Sequence, residues 1–352
     1  MSGSFDIRKW FENHDDFLIV SGPCSVETRE QLLETAEGLS KIGKINVLRG
    51  GIWKPRTRPD AFEGIGAEGL PWMQEAKKRY GFLTMTEVAV PEHVELALRY
   101  DIDILWVGAR TVVNPFSVQE LADCLRGSDV PVFVKNPLAP DVKLWLGALE
   151  RLESAGMTCI GGIHRGFSSY DETPYRNAPL WEIPIELKRL RPDIPIITDV
   201  SHICGCRDLL QDIAQKALDL GTKGFMIETH CNPEKALTDA KQQITPESLK
   251  KALENLVVRN NVVNDDEFVI KNLRNEIDII DDELLNLISK RMNVSEKIGE
   301  FKKKHKITVL QMDRWKNVLD DHINKGVKLG LNANSVKEIF EIIHKDSIDK
   351  QL

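Results

Sequence analysis

Short apolar runs recur along the first two thirds of the chain, and helix-length amphipathic segments separate them. The runs are rich in Val, Ile, Leu and Phe, as expected of buried parallel strands. They lie at Phe17–Ser21, Asn46–Gly50, Phe82–Glu87, Ile104–Gly108, Val132–Lys135, Thr158–Ile163, Pro195–Val200 and Gly224–Glu228. Eight such strands alternating with helices over about 260 residues predict an α/β fold, a (β/α)8 TIM barrel. An open doubly wound sheet is the weaker alternative.

After Ile244 the pattern becomes helical. A segment at Glu247–Val258 precedes a polar stretch, and three helices are predicted at Phe268–His305, at about Asp313–Leu329 and at Ala333–Leu352, the last capped by Asn332 or Asn334. We therefore expect a barrel domain at 1–258, a linker at 259–267 and an all-α three-helix domain at 268–352. The first of these helices would be about 55 Å long, so its apolar stripe predicts a homodimer, which could assemble further.

The composition and charge of the chain argue against a nucleic-acid-binding protein and a membrane protein. The 352 residues carry a mild net charge of −7, with no basic patch that would indicate nucleic acid. No apolar stretch has membrane-spanning length, and Met1–Asp6 lacks a signal-peptide core, so a cytoplasmic protein is expected. The six cysteines are then expected to be reduced.

Four candidate metal ligands follow predicted strands: Cys24, His202, Glu228 and Asp239. A parallel barrel gathers its strand ends on one face, so these residues can meet there. A mixed sulfur, nitrogen and oxygen set suits Mn²⁺, Fe²⁺, Co²⁺ or Zn²⁺ better than Ca²⁺ or Mg²⁺. Ser25 is a possible helix cap, and the adjacent helix N-terminus would favour a Cys24 thiolate. Taken singly, Asp239 could be a surface cap, Glu228 a salt-bridge partner and His202 a buried, satisfied histidine.

Cationic residues concentrate at the ends of predicted strands two to six. They are Arg49, Lys54, Arg56, Arg110, Lys135 and Arg165. So many cations at one barrel mouth would repel one another without an anion, so they predict substrates with phosphate and carboxylate groups.

The ordered motifs over about residues 10–255 resemble the type I 3-deoxy-D-arabino-heptulosonate 7-phosphate (DAHP) synthases, and the β subgroup among them. The motifs are Gly22-Pro23-Cys24-Ser25, Arg49, Lys54-Pro55-Arg56-Thr57, Gly108-Ala109-Arg110, Lys135-Asn136, His164-Arg165-Gly166, Ser201-His202, Glu228 and Asp239. Val200 interrupts the family's usual Asp-Pro-Ser-His run, and Arg58 replaces a common Ser, but neither change removes a catalytic group.

The resemblance implies condensation of phosphoenolpyruvate with erythrose 4-phosphate. It makes Cys24, His202, Glu228 and Asp239 the ligands of one divalent metal, with Mn²⁺ expected, which polarises the sugar aldehyde. It assigns the phosphoenolpyruvate phosphate to Ala109, Arg110, Lys135 and Arg165, its carboxylate to Arg49 and Lys54, and the sugar phosphate to Arg56 and Thr57. Lys54 is also a candidate proton donor to the nascent alkoxide.

Related octulosonate 8-phosphate synthases share the barrel but use arabinose 5-phosphate. The segment Lys54-Pro55-Arg56-Thr57 favours the four-carbon sugar, because those relatives typically have an Asn-containing version there. A metal-dependent aldolase that acts on another sugar phosphate is a further alternative.

The helical domain carries Arg274, Arg291, Lys302 and Arg314 at positions that ordinary surface charge could also explain. Together with Gln311, Ser347 and Gln351, they resemble the all-helical chorismate mutases over about residues 265–352. The resemblance implies an intertwined dimer that needs no cofactor and converts chorismate to prephenate. The carboxylates would be held by Arg291, Arg314 and a second copy's Arg274, with help from Ser347. The ether oxygen would be bound by Lys302 and Gln351. Trp315 replaces a Glu that meets the substrate hydroxyl in some relatives, which leaves that role to Gln311 or the backbone.

The sequence therefore predicts a bifunctional shikimate-pathway enzyme. The alternative is a synthase whose helical domain serves only for dimerisation and ligand sensing. The fusion also predicts feedback, in which prephenate bound at the mutase restrains the synthase.

Overall fold

The computed structural model describes residues 17–55, 60, 62–170, 172–258, 267–310 and 312–352. The chain divides into two compact units, Met1–Arg259 and Asn260–Leu352. The predicted linker 259–267 lies outside the described residues except for Glu267, which begins a helix.

The first unit is a closed barrel of eight parallel strands, so the predicted fold class is confirmed. The strands are β1 Leu18–Gly22, β2 Val47–Arg49, β3 Leu83–Val88, β4 Ile104–Val107, β5 Val132–Lys135, β6 Ile160–His164, β7 Ile196–Asp199 and β8 Gly224–Glu228. β1 pairs with both β2 and β8, with Leu18 opposite Gly224 and Gly22 opposite Glu228. This closure excludes the open doubly wound sheet.

Helices follow the strands and cover the barrel. They are α1 Arg29–Ser40, α2 Gly69–Tyr80, α3 Pro91–Arg99, α4 Pro115–Leu125, α5 Val142–Ser154, α6 Glu182–Leu190, α7 Val200–Cys204, α8 Leu210–Asp219 and α9 Pro246–Glu254. Thr28 caps α1 by accepting from the Gln31 amide, so the expectation of a cap at Ser25 was wrong; the Ser25 hydroxyl bonds Thr238 instead. The five-residue α7 was not predicted, because so short a helix has no readable periodicity.

Alternation along the strands builds two apolar layers. Leu18, Val20 and Trp106 belong to the small cluster inside the barrel, whereas Ile19 and Leu105 belong to the larger core between strands and helices. Side chains on successive strand residues point to opposite faces, which explains this division.

The strand ends set the positions of the polar groups. At the end of β1, Gly22 adopts φ 148°, and a Cβ there would lie 2.1 Å from the Arg49 carbonyl oxygen. Only glycine allows this approach, which brings the Cys24 turn against the end of β2.

The second unit consists of α10 Glu267–His305, α11 Met312–Lys328 and α12 Ala333–Gln351. α12 packs against both α10 and α11. Its N-cap is Asn332, whose side chain accepts from the amides of Asn334 and Ser335, as one of the two predicted caps.

An apolar stripe on α10 remains exposed in the single chain. Its members include Leu273, Ile277, Ile280, Leu284, Leu287, Ile288 and Ile298. Exposed apolar surface of this extent is typical of an interface. Among the described helices, none is both long and apolar enough to cross a membrane.

Candidate active sites

Three of the predicted metal ligands converge at the barrel mouth. One ligand atom from each of Cys24, Glu228 and Asp239 lies within 4.8 Å of the others. Glu228 ends β8, Cys24 follows β1, and Asp239 lies in the loop after β8 with φ 50°. The Cys24 Sγ is 3.4 Å from the Asp239 Oδ2. The closure of the barrel through the β1–β8 pair therefore brings these residues together.

His202 lies beside this cluster but does not belong to the set whose ligand atoms all lie within 4.8 Å of one another. Its Nδ1 is 2.9 Å from the Asp199 Oδ2 and 3.7 Å from the Glu228 Oε1. Burial lowers the pKa of His202 despite the two carboxylates, so the imidazole is neutral at neutral pH. With its Nδ1 proton donated to Asp199, the Nε2 lone pair is left for a ligand, as in many metal-binding histidines.

Cys24 is a thiol in this arrangement, not the thiolate expected from a nearby helix N-terminus. Burial raises its pKa to about 12, and Glu228 contributes in the same direction. The helix that follows begins only at Arg29, several residues beyond Cys24. Lys54 donates to Cys24 Sγ at 3.4 Å and lowers the pKa, but does not offset burial. A bound cation would supply the missing positive charge.

Arg49 is 0% exposed and pairs with Glu228, since its Nη1 is 3.1 Å from the Glu228 Oε1. Its Nη2 donates to the Cys24 carbonyl at 3.1 Å, and its guanidinium lies 5.0 Å from the Trp106 ring centre. The expectation that Arg49 also addresses a substrate carboxylate stays a prediction. Its buried charge is compensated by Glu228, so Arg49 orients a candidate metal ligand.

Two residues at this site escaped the sequence analysis. Arg176 Nη1 is 3.0 Å from the Asp239 Oδ1 and donates to the Gln242 Oε1 at 2.7 Å. Gln242 in turn donates from Nε2 to the Glu228 Oε2 at 2.7 Å. Burial alone would raise the pKa of Asp239, but Arg176 and His202 lower it to about 2. A chain of contacts thus links the two candidate carboxylate ligands, and its only sequence signal was the nearness of Gln242 to Asp239.

A cleft beside the ligand cluster is lined mainly by polar groups. The polar ones include Lys54, Glu87, Arg110, Lys135, Arg165, Arg176 and His202, and Ala109 also lines the cleft. Lys135 Nζ is 2.7 Å from the Asp199 Oδ2, and Arg165 donates to the Asn177 Oδ1 at 2.7 Å. Burial, joined by Arg176 and Arg110, lowers the pKa of Arg165 to about 10. This excess of cations is suited to a phosphorylated anion.

The residues present fit a divalent metal. The Glu228 Oε1 is buried, and among the described residues it has no aligned hydrogen-bond donor, although Arg49 lies close. The thiol, carboxylate and imidazole donors form a set of intermediate softness. Arg56 and Thr57, the predicted sugar-phosphate residues, lie outside the described part of the chain.

A second polar cluster joins α10 and α12. Arg291 donates to the Ser347 hydroxyl, and Lys302 donates to the Gln351 Oε1 at 3.1 Å and to the Val309 carbonyl at 2.6 Å. Gly299 allows the close approach, because a Cβ there would lie 2.6 Å from the Gln351 Cα. Arg291, Lys302, Ser347 and Gln351 are four of the predicted mutase residues. Arg274 and Arg314 are exposed on α10 and α11, and Gln311 lies outside the described residues.

Two family models match the chain. The model of the "DAHP synthetase I family" matches residues 9–262, and that of "Chorismate mutase type II" matches residues 273–352. A phospho-2-dehydro-3-deoxyheptonate aldolase of Thermotoga maritima is 35% identical over 240 residues, which are 68% of this chain and 69% of that protein. A 2-dehydro-3-deoxyphosphooctonate aldolase of Brucella abortus is 27% identical over 265 residues, 70% of this chain and 92% of that protein.

Solved structures agree with these matches. The crystal structure of the Thermotoga maritima DAHP synthase aligns with a TM-score of 0.61 and 34% identity over 68% of this chain and 67% of that one. A truncated form of the same enzyme gives a TM-score of 0.58 and 32% identity over 68% of this chain and 84% of that one.

Proposed function

Because the chain belongs to the DAHP synthetase I family and carries a type II chorismate mutase domain, we propose that its two sites work as follows. The protein is a bifunctional shikimate-pathway enzyme with synthase and mutase activities. In the proposal, domain boundaries are 1–258 and 268–352, with 259–267 as the linker. The barrel's chemistry depends on a divalent metal, and Mn²⁺ is the expected ion.

The convergence of Cys24, Glu228 and Asp239 beside a cationic cleft carries the synthase proposal. His202 completes the ligand set through Nε2. A divalent ion held by these four residues would supply Lewis-acid chemistry for the aldehyde of erythrose 4-phosphate. Arg49 and Gln242 hold the carboxylate of Glu228 in place from its two sides.

The protein groups of the cleft bind and orient phosphoenolpyruvate. Arg110, Lys135, Arg165 and the Ala109 amide hold its phosphate, and Arg49 and Lys54 address its carboxylate. The enol carbon of phosphoenolpyruvate attacks the aldehyde carbon, water adds to the resulting cationic carbon, and phosphate leaves with its bridging oxygen. Lys54 protonates the new alkoxide in this proposal, and its support is the 3.4 Å distance from Lys54 Nζ to Cys24 Sγ in the ligand cluster.

Sugar choice falls to the segment Lys54-Pro55-Arg56-Thr57, which we assign to erythrose 4-phosphate, with Arg56 and Thr57 on the sugar phosphate. The octulosonate aldolase among the relatives makes arabinose 5-phosphate the informative competitor.

The test measures loss of phosphoenolpyruvate with either sugar, in chelator-treated protein before and after Mn²⁺ is added. We expect metal-restored activity with erythrose 4-phosphate alone. Cys24→Ser should abolish the restoration, whereas Cys124→Ser, at a half-buried cysteine on α4, should leave it intact. Full activity in the metal-free protein would refute the metal requirement, and activity only with arabinose 5-phosphate would refute the sugar assignment.

For the helical domain we propose catalysis by positioned cations. Arg291, Arg314 and Arg274 of a second copy hold the two carboxylates of chorismate, with Ser347 assisting. Lys302 and Gln351 stabilise negative charge on the ether oxygen. The Arg291–Ser347 and Lys302–Gln351 contacts support this, because they place the groups on facing helices.

We also propose a homodimer through α10, because the proposed mutase site includes Arg274 of a second copy. The exposed stripe on α10 is the observation behind it, since such a surface is costly in water. Light scattering should give twice the chain mass for the wild type, and Leu284→Lys should yield monomers with impaired mutase activity. A wild-type monomer with full mutase activity would refute the shared site.

Feedback is the final part of the proposal, in which prephenate bound at the mutase restrains the synthase. Coupling requires that prephenate bind two global states with different affinity. Synthase rates and X-ray scattering profiles should both change at saturating prephenate. If neither changes, the feedback hypothesis fails.

A further inference from the structure

The polar cluster of the helical unit extends one turn further along α12 than its predicted residues. His344, Ser347 and Gln351 are spaced by three and four positions, which places them on one face of a helix. Ser347 and Gln351 receive hydrogen bonds from Arg291 and Lys302 of α10. His344 therefore lies at the edge of the same cationic site.

Trp315 of α11 holds the His344 ring in place. The two rings stack with their centroids 3.7 Å apart and their planes 5° apart. A flat stack of this kind fixes the plane in which the imidazole nitrogens point.

One nitrogen of the His344 ring lacks a hydrogen-bond partner among the described residues. This atom, Nε2, is buried. Buried polar atoms of native proteins are nearly always paired, so an unpaired one next to a proposed binding site indicates a ligand contact.

The surroundings keep this imidazole neutral. Burial lowers the pKa of His344, and the positive charges of Arg291 and Lys302 lower it further. A neutral imidazole carries no charge with which to pair a substrate carboxylate, but its nitrogen can donate or accept a single hydrogen bond with a hydroxyl.

We propose that His344 Nε2 binds the ring hydroxyl of chorismate, with Trp315 as the positioning residue. The inference rests on the proposed mutase function. Chorismate carries two carboxylates, an ether oxygen and one hydroxyl, and the cations and Gln351 account for all of these except the hydroxyl. The sequence left that group to Gln311 or the backbone, and the structure assigns it to a side chain on the facing helix.

The test compares chorismate with an analogue that lacks the ring hydroxyl, in the full-length protein. His344→Phe keeps the stack on Trp315 and removes the nitrogen. We expect its kcat/KM for chorismate to fall about 10- to 100-fold and its kcat/KM for the deoxy analogue to change less than about threefold. His344→Gln, whose amide can reach a similar position, should recover much of the loss.

His322→Phe is the matched control. His322 also contacts an aromatic ring between α11 and α12, with its centroid 4.1 Å from that of Phe340, but it belongs to no proposed site. It should leave the ratio of the two kcat/KM values unchanged, and far-ultraviolet circular dichroism should show equal helicity in all variants.

The outcomes distinguish failure of the proposed mutase function from failure of the proposed role of His344. If the wild type rearranges neither compound, the mutase function itself fails. If the wild type is active but His344→Phe loses activity equally with both compounds, His344 does not bind the hydroxyl and the inference is overturned. The inference is also overturned if His344→Phe keeps full activity with both compounds.

Discussion

We predict that Gln242 contributes to metal affinity. Its amide contacts the candidate ligand Glu228 directly and the candidate ligand Asp239 through Arg176. The side chain is 1% exposed, accepts from Arg176 and donates to Glu228, both at 2.7 Å. Gln242→Met keeps nearly the same volume and removes both bonds. Glu228 then loses the amide donor to its Oε2, and Arg176 keeps its ion pair with Asp239 but loses its hydrogen bond to Gln242.

The magnitude follows from the two contacts. A hydrogen bond to a charged group contributes about 1.5–3 kcal/mol, and half-exposed Arg176 places its bond at the low end. We therefore expect the metal-free barrel to lose about 3–4.5 kcal/mol of unfolding free energy. Loss of a partner that orients a metal ligand typically weakens binding about 10- to 100-fold, or roughly 1.4–2.7 kcal/mol.

Free Mn²⁺, measured by electron paramagnetic resonance during titration of metal-free protein, gives the dissociation constant without any enzyme turnover. Gln119→Met is the control, because Gln119 also bridges an arginine and a carboxylate, Arg151 at 3.0 Å and Asp123 at 3.2 Å, but on the surface of α4. An Mn²⁺ affinity of Gln242→Met within about twofold of the wild type would refute the orienting role.

Other expectations concern the buried ionisable groups. Arg49→Met should destabilise the barrel by about 3–5 kcal/mol in urea unfolding, because it strands Glu228 as a buried unpaired charge, and Arg49→Met/Glu228→Gln should recover part of this; a loss near zero would contradict the pair's importance. The pKa of His164 is lowered from 6.5 to about 4, mainly by burial, so the unfolded chain takes up a proton first as the pH falls between these values. Unfolding free energy should fall by about 3 kcal/mol over that window, and His164→Phe should flatten the curve there; an unchanged slope would count against it. Cys24, with its pKa raised to about 12, should stay a thiol below about pH 10 in metal-free protein and release its proton when a divalent ion binds, which thiolate absorbance measures; ionisation near neutral pH without metal would contradict this.

The strands were predictable because each is a short apolar run bounded by turns, and the predicted ends differ from the observed ones by at most two residues. Strand ends in a parallel barrel share one face, so the meeting of Cys24 with Glu228 followed from the strand assignments alone. The long α10 followed in the same way from sustained helical spacing.

What the sequence missed depends on contacts between loops. Arg176 and Gln242 lie in irregular segments with no periodicity, and their roles exist only because both loops fold over the same strand ends. The sequence indicated Arg49 as a substrate ligand but could not show that its side chain also pairs with Glu228. His344 drew no attention since a lone histidine on an amphipathic helix is ordinary.

The pairing of β1 with β8 has a consequence for how the protein is made. Cys24 and Asp239 are 215 residues apart in the chain, and their contact forms only after both edges of the sheet have met. Contacts between such distant residues form late in folding, because the loop between them must close first. During synthesis, a ribosome must therefore release nearly the whole barrel before the ligand cluster exists. Metal taken up at this seam would bind the closed form selectively, so the supply of the ion would influence how much newly made protein reaches the native state.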